Sequence, residues 1–156
     1  MDLPPFQRLL EEHRVGVYRF LVAAVGAQEA DDCFQETFLS ALRAYPKVRD
    51  ASNLRGWLFT IATSKAMDHW RATKRRPVPV ETLPERPSPE RADGEPELWR
   101  VVGELPEMQR AAVIHRYVLD LPYAEVAVAL GCSEEAARAN AYEGRRKLRA
   151  MRGAST

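Results

Sequence analysis

The chain has 156 residues and a formal net charge of +1, with 46% hydrophobic and 29% charged residues. That is enough apolar content for one ordinary domain or two small ones in a water-soluble protein. The longest apolar stretch, Leu21 to Ala27, is interrupted by Gly26 and is too short to span a bilayer, and Asp2, Glu11 and Glu12 stand where a secretory leader would need a basic start and an apolar run.

The net charge hides a pattern. Residues 1–76 carry 12 Lys/Arg against 9 Asp/Glu, residues 77–97 carry 2 against 6, and residues 98–156 carry 9 against 7. Two weakly basic segments therefore flank an acidic one, which suits contact with DNA phosphates without establishing it. Cys33 and Cys132 are far apart and each lies in an apolar pattern, so they read as buried free thiols of a cytoplasmic protein in preference to a disulfide.

In chain order, Phe6, Leu9, Leu10, Val17, Phe20 and Leu21 recur at helical spacing and predict an amphipathic helix. Phe34, Phe38, Leu42 and Tyr45 predict a second, ended by Pro46. A polar stretch, Lys47 to Asn53, precedes a third helix whose buried stripe is Leu54, Trp57, Leu58, Ile61 and Ala62, with Asn53 as its N-cap. Trp70, among basic residues of the same helix, fits either a core position or a ring that stacks on a base.

Between residues 77 and 97 the periodicity stops, and six of the eleven prolines fall there, with acidic residues between them. Proline removes a backbone donor and biases its predecessor away from helix, so an extended tether is expected. At roughly 3.1 Å per residue it reaches at most about 65 Å, nearly two turns of B-DNA. From Leu98 onward helical patterns return: Trp99, Val102 and Leu105, then Pro106 at the first turn of a new helix, then Val113, Ile114 and Tyr117 on its apolar face.

The stretch PYAEVAVALGCSEEAARANAYEGRRKLR is the most specific. Val126, Ala127 and Leu130 are buried-type positions of one helix, Gly131 can take the left-handed conformation that ends it, and Ser133 can cap the next. Glu134 and Glu135 then favour the helix dipole, while Ala137 and Leu148 turn back to the core. This spacing is that of a DNA-binding helix-turn-helix; Arg138, Arg145, Arg146, Lys147, Arg149 and Arg152 along the second helix can neutralise phosphates. An αα-hairpin without a DNA role is the plainer alternative. The predicted fold is all-α: an N-terminal helical bundle (1–76), a Pro-rich extended linker (77–97) and a C-terminal helix-turn-helix domain (98–156).

Over almost its whole length the chain resembles the bacterial RNA polymerase sigma factors of the extracytoplasmic-function (ECF) group of the sigma-70 family. EADDCFQETFLSALRAY is similar to the helix that grips the clamp helices of core polymerase. LRGWLFTIATSKAMDHWRATKRR is similar to the helix that meets the promoter −10 element, and LPEMQRAAVIHRYVLDLPYAEVAVALGCS to the region that binds the −35 element and the core flap. The resemblance implies core binding by Asp32, Gln35, Glu36 and Phe38. It implies −10 binding by Lys47, Arg49, Asn53, Arg55, Lys65, Arg71, Lys74, Arg75 and Arg76, with the loop from Lys47 to Arg55 capturing a base flipped from the melted strand. It implies −35 binding by Ser133, Arg138, Asn140, Arg145 and Arg146. The linker then passes through the core cleft, where acidic composition would mimic nucleic acid.

The recognition helix departs from the family pattern: Ala136, Ala137, Arg138, Ala139 and Asn140 replace a Thr-Val-Lys-Ser-Arg-like run, and Tyr142 and Glu143 stand where small polar or basic residues are commoner. The implied partners are core polymerase, double- and single-stranded promoter DNA and an anti-sigma factor, in the cytoplasm, with no membrane insertion and no small-molecule substrate. His13, His69 and His115 lack a nucleophile, a phosphate loop or a metal set nearby, so no catalytic residue, metal or cofactor is expected. A stand-alone helix-turn-helix regulator is the runner-up, but it leaves the first module and the tether without a purpose; a sequestering protein leaves the basic helix end unexplained.

Overall fold

The computed structural model describes residues 3–75 and 96–154, and all regular structure in them is helical. α1 (Phe6–Val25) and α2 (Ala27–Ala44) are joined through the single residue Gly26. Its φ of 89° is a left-handed backbone that glycine alone adopts without strain, which permits so abrupt a reversal. The reversal brings the two helix ends together: Phe6 lies edge-on to Phe38 and Tyr45, and the Tyr45 hydroxyl donates to the Pro4 carbonyl.

A 3₁₀ turn, Tyr45–Lys47, containing Pro46 ends this hairpin, and α3 (Leu54–Arg75) follows a short loop. Asn53 caps α3 as expected, its Oδ1 accepting from the Gly56 amide at 2.9 Å. The predicted stripe packs on α1 and α2, with Leu58 and Ala62 fully buried and Leu54, Trp57 and Ile61 partly so. α3 also buries Phe59, Thr63, Ala66 and Trp70.

The second module comprises α4 (Pro96–Val102), α5 (Glu107–Val113), a π-helical turn (Ile114–Val118), α6 (Tyr123–Leu130) and α7 (Glu134–Ala154). Pro106 is the N-cap of α5. Gly131 ends α6 in the left-handed conformation (φ 67°), and Ser133 Oγ accepts from the Ala136 amide at 3.0 Å to open α7. Val126, Ala127, Ala137 and Ala141 are buried between α6 and α7, as close packing of a helix-turn-helix requires.

The described residues do not form two separate bodies. His115, in the π turn, is fully buried and lies flat on Phe20 of α1, with ring centroids 4.3 Å apart and planes 5° apart. Phe59 meets it edge-on at 5.7 Å, and the Thr63 hydroxyl lies 2.9 Å from its Nε2. At the end of α1 the Ala24 carbonyl accepts from Trp70 Nε1 at 2.8 Å and from Arg110 Nη2 at 3.0 Å, with the Arg110 guanidinium 4.1 Å above the Trp70 ring. One of the orphan carbonyls at a helix C-terminus thus gathers donors from both modules. Trp70 is a core residue.

Three expectations need correction. Leu42 and Tyr117 are 50% and 45% exposed, because the apolar stripes of α2 and the π turn are wider than the surfaces that cover them. Cys33 is buried, but Cys132, at the helix-turn-helix corner, is only half-buried. Both thiols are free. The tether at 77–97 lies, up to residue 95, outside the described residues.

Burial pushes the His115 pKa down from 6.5 to about 3, so the imidazole is neutral in the fold. The unfolded chain takes up a proton near 6.5 that the folded chain refuses, so stability falls as pH drops from 6.5 towards 3. Between pH 7 and 5 the histidine contributes a loss of about 2 kcal/mol. Urea unfolding at the two pH values should show that loss in the wild type and a clearly smaller one in His115→Gln; equal losses would contradict the assignment.

Candidate nucleic-acid and polymerase interfaces

On α2, Asp32, Gln35 and Glu36 are exposed and share one face by their spacing. The same face continues through Leu39 and Leu42, which are 52% and 50% exposed. Two leucines thus stand in solvent beside carboxylates on one face of α2. Phe38, at the edge of this face, is not exposed on it: it is buried, with its ring 6.3 Å from that of Phe6 and 4.8 Å from that of Phe34. Leu39 and Leu42 were missed because a helical hydrophobic period marks what is apolar, not what is covered.

The residues expected at the −10 element fall into three groups. Lys47 and Arg49 are exposed ahead of α3, where hydrogen bonds from Ser52, first from its hydroxyl and then from its amide at 2.9 Å, hold the Asp50 carboxyl below the usual range. Asn53 is exposed but its Oδ1 is engaged as the α3 cap. Lys65 is half-buried on the α2 side, near enough to Cys33 to oppose a rise of the thiol pKa to about 11, caused first by burial and then by Glu36, Glu29 and Asp32.

Arg55, Arg71 and Lys74 form the third group, and they face the second module. Arg71 makes a fork with Glu107, Nε to Oε1 and Nη2 to Oε2, each 2.7 Å. The hydrogen bond from Arg71 holds the Glu107 carboxyl below its usual pKa, with Lys74 adding a smaller effect in the same direction. Arg55 pairs with Glu125 at 3.5 Å. Arg76 and the side chain of Arg75 lie outside the described residues.

Along α7, Arg138, Arg145 and Arg146 are exposed, as is the capping residue Ser133. The Asn140 side-chain amide donates back to the Ala136 carbonyl at 3.0 Å. Arg138 reaches Glu134 at 3.3 Å and lies 4.8 Å over the Tyr123 ring. Glu143 pairs with Arg146 at 3.0 Å, and Arg145 stacks 5.4 Å from Tyr117. Tyr117, Tyr123, Tyr142, Arg138, Arg145, Arg146 and Arg149 line an open cavity of about 260 Å³. Tyr123 and Tyr117 each hold a guanidinium over the ring, that of Arg138 and that of Arg145, and the part played by Tyr123 was not read from the sequence.

Among the described residues no group of His, Cys, Asp or Glu has the geometry to hold a metal, and no helix is long and apolar enough to cross a membrane.

Comparison with known proteins follows the same division. A family model described as Sigma-70 region 2 matches residues 9–76, and one described as Sigma-70, region 4 matches residues 96–148. The ECF RNA polymerase sigma factor SigD of Mycobacterium tuberculosis is 34% identical over 166 aligned positions, covering 95% of this chain and 77% of SigD. RNA polymerase sigma-H factor of Pseudomonas aeruginosa is 30% identical over 165 positions, covering 94% and 86%. Among solved structures, CnrH in complex with the cytosolic domain of CnrY superposes with a TM-score of 0.73 at 23% identity, covering 97% of this chain and 89% of that one. Sigma factor RpoE from Bartonella quintana, in complex with the anti-sigma factor NepR, superposes with a TM-score of 0.71 at 20% identity, covering 94% and 95%. These two likenesses establish the shared fold.

The position of α7 depends on Gly144, where an added Cβ would stand 2.6 Å from Val113 Cγ2 and 3.2 Å from the Gln109 carbonyl oxygen. Gly144→Ala should therefore lower stability by about 1–3 kcal/mol despite the better helix propensity of alanine. A thermal melt unchanged or raised by the substitution would show that α5 and α7 can separate freely.

Proposed function

This chain belongs to the sigma-70 family, in its extracytoplasmic-function group, and from that premise we propose that it binds core RNA polymerase, recognises the −10 and −35 elements of a promoter and promotes melting of the start site. The observation that carries the proposal is the occurrence, in order on one chain, of a region 2 match over 9–76 and a region 4 match over 96–148. Sigma factors are initiation factors; the polymerisation chemistry belongs to the core.

The exposed face of α2 is assigned to core polymerase: Asp32, Gln35 and Glu36 supply polar contacts, and Leu39 and Leu42 supply the area that becomes buried. Residues 1–76 also read the −10 element. The loop carrying Lys47, Arg49 and Asn53 receives a flipped base, and Arg55, Lys65, Arg71, Lys74, Arg75 and Arg76 follow the backbone. Melting then needs no covalent step, because binding the single strand better than the duplex shifts the equilibrium between them.

Residues 98–156 read the −35 element through α7. Arg138, steadied by Tyr123 and Glu134, is the side chain best placed for a base edge or phosphate, with Asn140 beside it and Arg145 and Arg146 toward the backbone. The acidic composition of residues 77–97, which lie up to residue 95 outside the described residues, suits a channel made for nucleic acid. RpoE is solved with an anti-sigma factor, and we infer the same class of partner for this chain, acting in the cytoplasm where polymerase works.

Run-off transcription with purified core on a randomised promoter library should yield selective initiation, and failure to confer it would refute the function. Two variants test the residue roles. Leu39→Glu should weaken core binding at least about ten-fold with little change in stability, as expected for an exposed contact residue. Arg138→Ala should weaken −35 duplex binding by about 1–3 kcal/mol with core binding intact; equal affinity in a fluorescence titration would remove Arg138 from the reading surface.

A further inference from the structure

One aromatic side chain of α7 has no task in the proposed reading of the −35 element. Tyr142 is 64% exposed, and among the described residues neither another ring nor a cation lies on its face. It stands on the wall of the cavity of about 260 Å³ that Tyr117 and Tyr123 also line. A bare ring at a cavity wall is a π-face available for stacking.

The cations of that cavity differ in how far they are neutralised. Arg138 has Glu134 at 3.3 Å, and Arg146 has Glu143 at 3.0 Å. Arg145 and Arg149, both exposed, have no carboxylate within ion-pair distance among the described residues. Arg145 is set 5.4 Å from the Tyr117 ring instead. The Tyr123 ring has two guanidiniums against it, Arg138 at 4.8 Å and Arg116 at 4.6 Å, and Arg116 Nη1 donates to the Leu121 carbonyl at 3.0 Å. Rings and a carbonyl thus hold together cations that repulsion would spread, and a concave surface of one sign focuses its field on what enters.

The occupant must satisfy both the charge and the ring. Duplex DNA offers phosphates, but its bases are stacked on one another and present edges, not faces, in the grooves. An inorganic anion leaves Tyr142 bare. A free nucleotide brings a phosphate for Arg145 and Arg149 together with a π-face for Tyr142. The volume is just below the range of about 300–1,000 Å³ usual for ligand pockets, which suits one nucleotide and is too small for a dinucleotide.

We propose that this cavity binds a free nucleoside phosphate, with the base on Tyr142 and the phosphate on Arg145 and Arg149, and that its occupancy blocks the DNA face of α7. The binding half stands independently of promoter recognition; the blocking half rests on the −35 role proposed for α7. Arginines that hold a nucleotide have no donors left for the promoter backbone, so a nucleotide and the −35 duplex exclude one another.

Calorimetric titration of the full chain with AMP, ribose 5-phosphate and adenosine separates the contributions. AMP should saturate one site with a Kd below about 1 mM and bind at least about ten-fold more tightly than either fragment, since one lacks the base and the other the phosphate. Tyr142→Ala should bring AMP down to the affinity of ribose 5-phosphate, and Tyr142→Phe should restore it. No saturable binding of AMP, equal binding of AMP and ribose 5-phosphate, or indifference to Tyr142→Ala would overturn the site. A single-stranded tetranucleotide that binds at least about a hundred-fold more tightly than AMP would also overturn it, because the surface would then belong to single-stranded DNA. AMP should displace a fluorescent −35 duplex, taken from a promoter selected by run-off, at the concentrations at which it binds. AMP bound through Tyr142 without displacement would overturn the blocking half, whereas a wild type that gives no selective run-off with core would overturn the sigma function and leave the titration result standing.

Discussion

A neutral imidazole set between two phenylalanines determines how the helices of this chain relate. His115 lies on Phe20, meets Phe59 at its edge and reaches Thr63, so one side chain of the second module touches α1 and α3 of the first. The stacking replaces water on three rings, and burying each phenylalanine is worth roughly 1.5–3 kcal/mol. It holds only while the ring is uncharged, since a buried cation without an acceptor would cost far more than the stacking contributes. The π turn makes the insertion possible: its widened backbone, with Leu119 N bonding Ile114 O at 3.1 Å, sets His115 apart from the regular α5 ladder.

Around this apolar centre the polar contacts are directional. Ala24 presents its carbonyl to Trp70 and Arg110, and the Glu107–Arg71 fork and Glu125–Arg55 pair lie at the rim. The rim pairs are screened by water and salt, so they add little stability, but a carboxylate facing each arginine excludes other registers of docking. Acidic groups of the second module thus complement cations of the first. The surface left basic is α7, whose arginines are arranged on tyrosines.

Much of this was legible in the sequence. The stripes of α1 and α3, the Asn53 cap, the Gly131 turn and the Ser133 cap depend on neighbours three or four residues away, and local chemistry fixes them. The seam was not legible. Phe20 was read correctly as buried, yet nothing in a helical period says that its partner stands 95 positions further on, in a histidine that looked isolated. Phe59 and Thr63 fell outside the α3 stripe for the same reason, since that helix is buried on two sides and its polarity pattern is blurred. Of the candidate charged residues Lys65 is half-buried and Arg75 and Arg76 lie outside the described side chains, whereas Phe38 and Leu42 exchanged roles: the first is core and the second exposed.

On the proposed reading, in which α7 meets the −35 element, the ion pairs of that helix bear on why two modules act together. Arg138 and Arg146 each already have a carboxylate, Glu134 and Glu143, within one helical turn. Binding a phosphate there must displace an acidic neighbour or share the guanidinium with it, so each contact yields less than a free arginine would. A weak −35 contact joined to a weak −10 contact can still bind tightly, because the first engagement raises the effective concentration of the second site. On the same reading, weakness of each half serves selectivity: DNA carrying one element engages the chain once, whereas both elements at the right separation engage it twice.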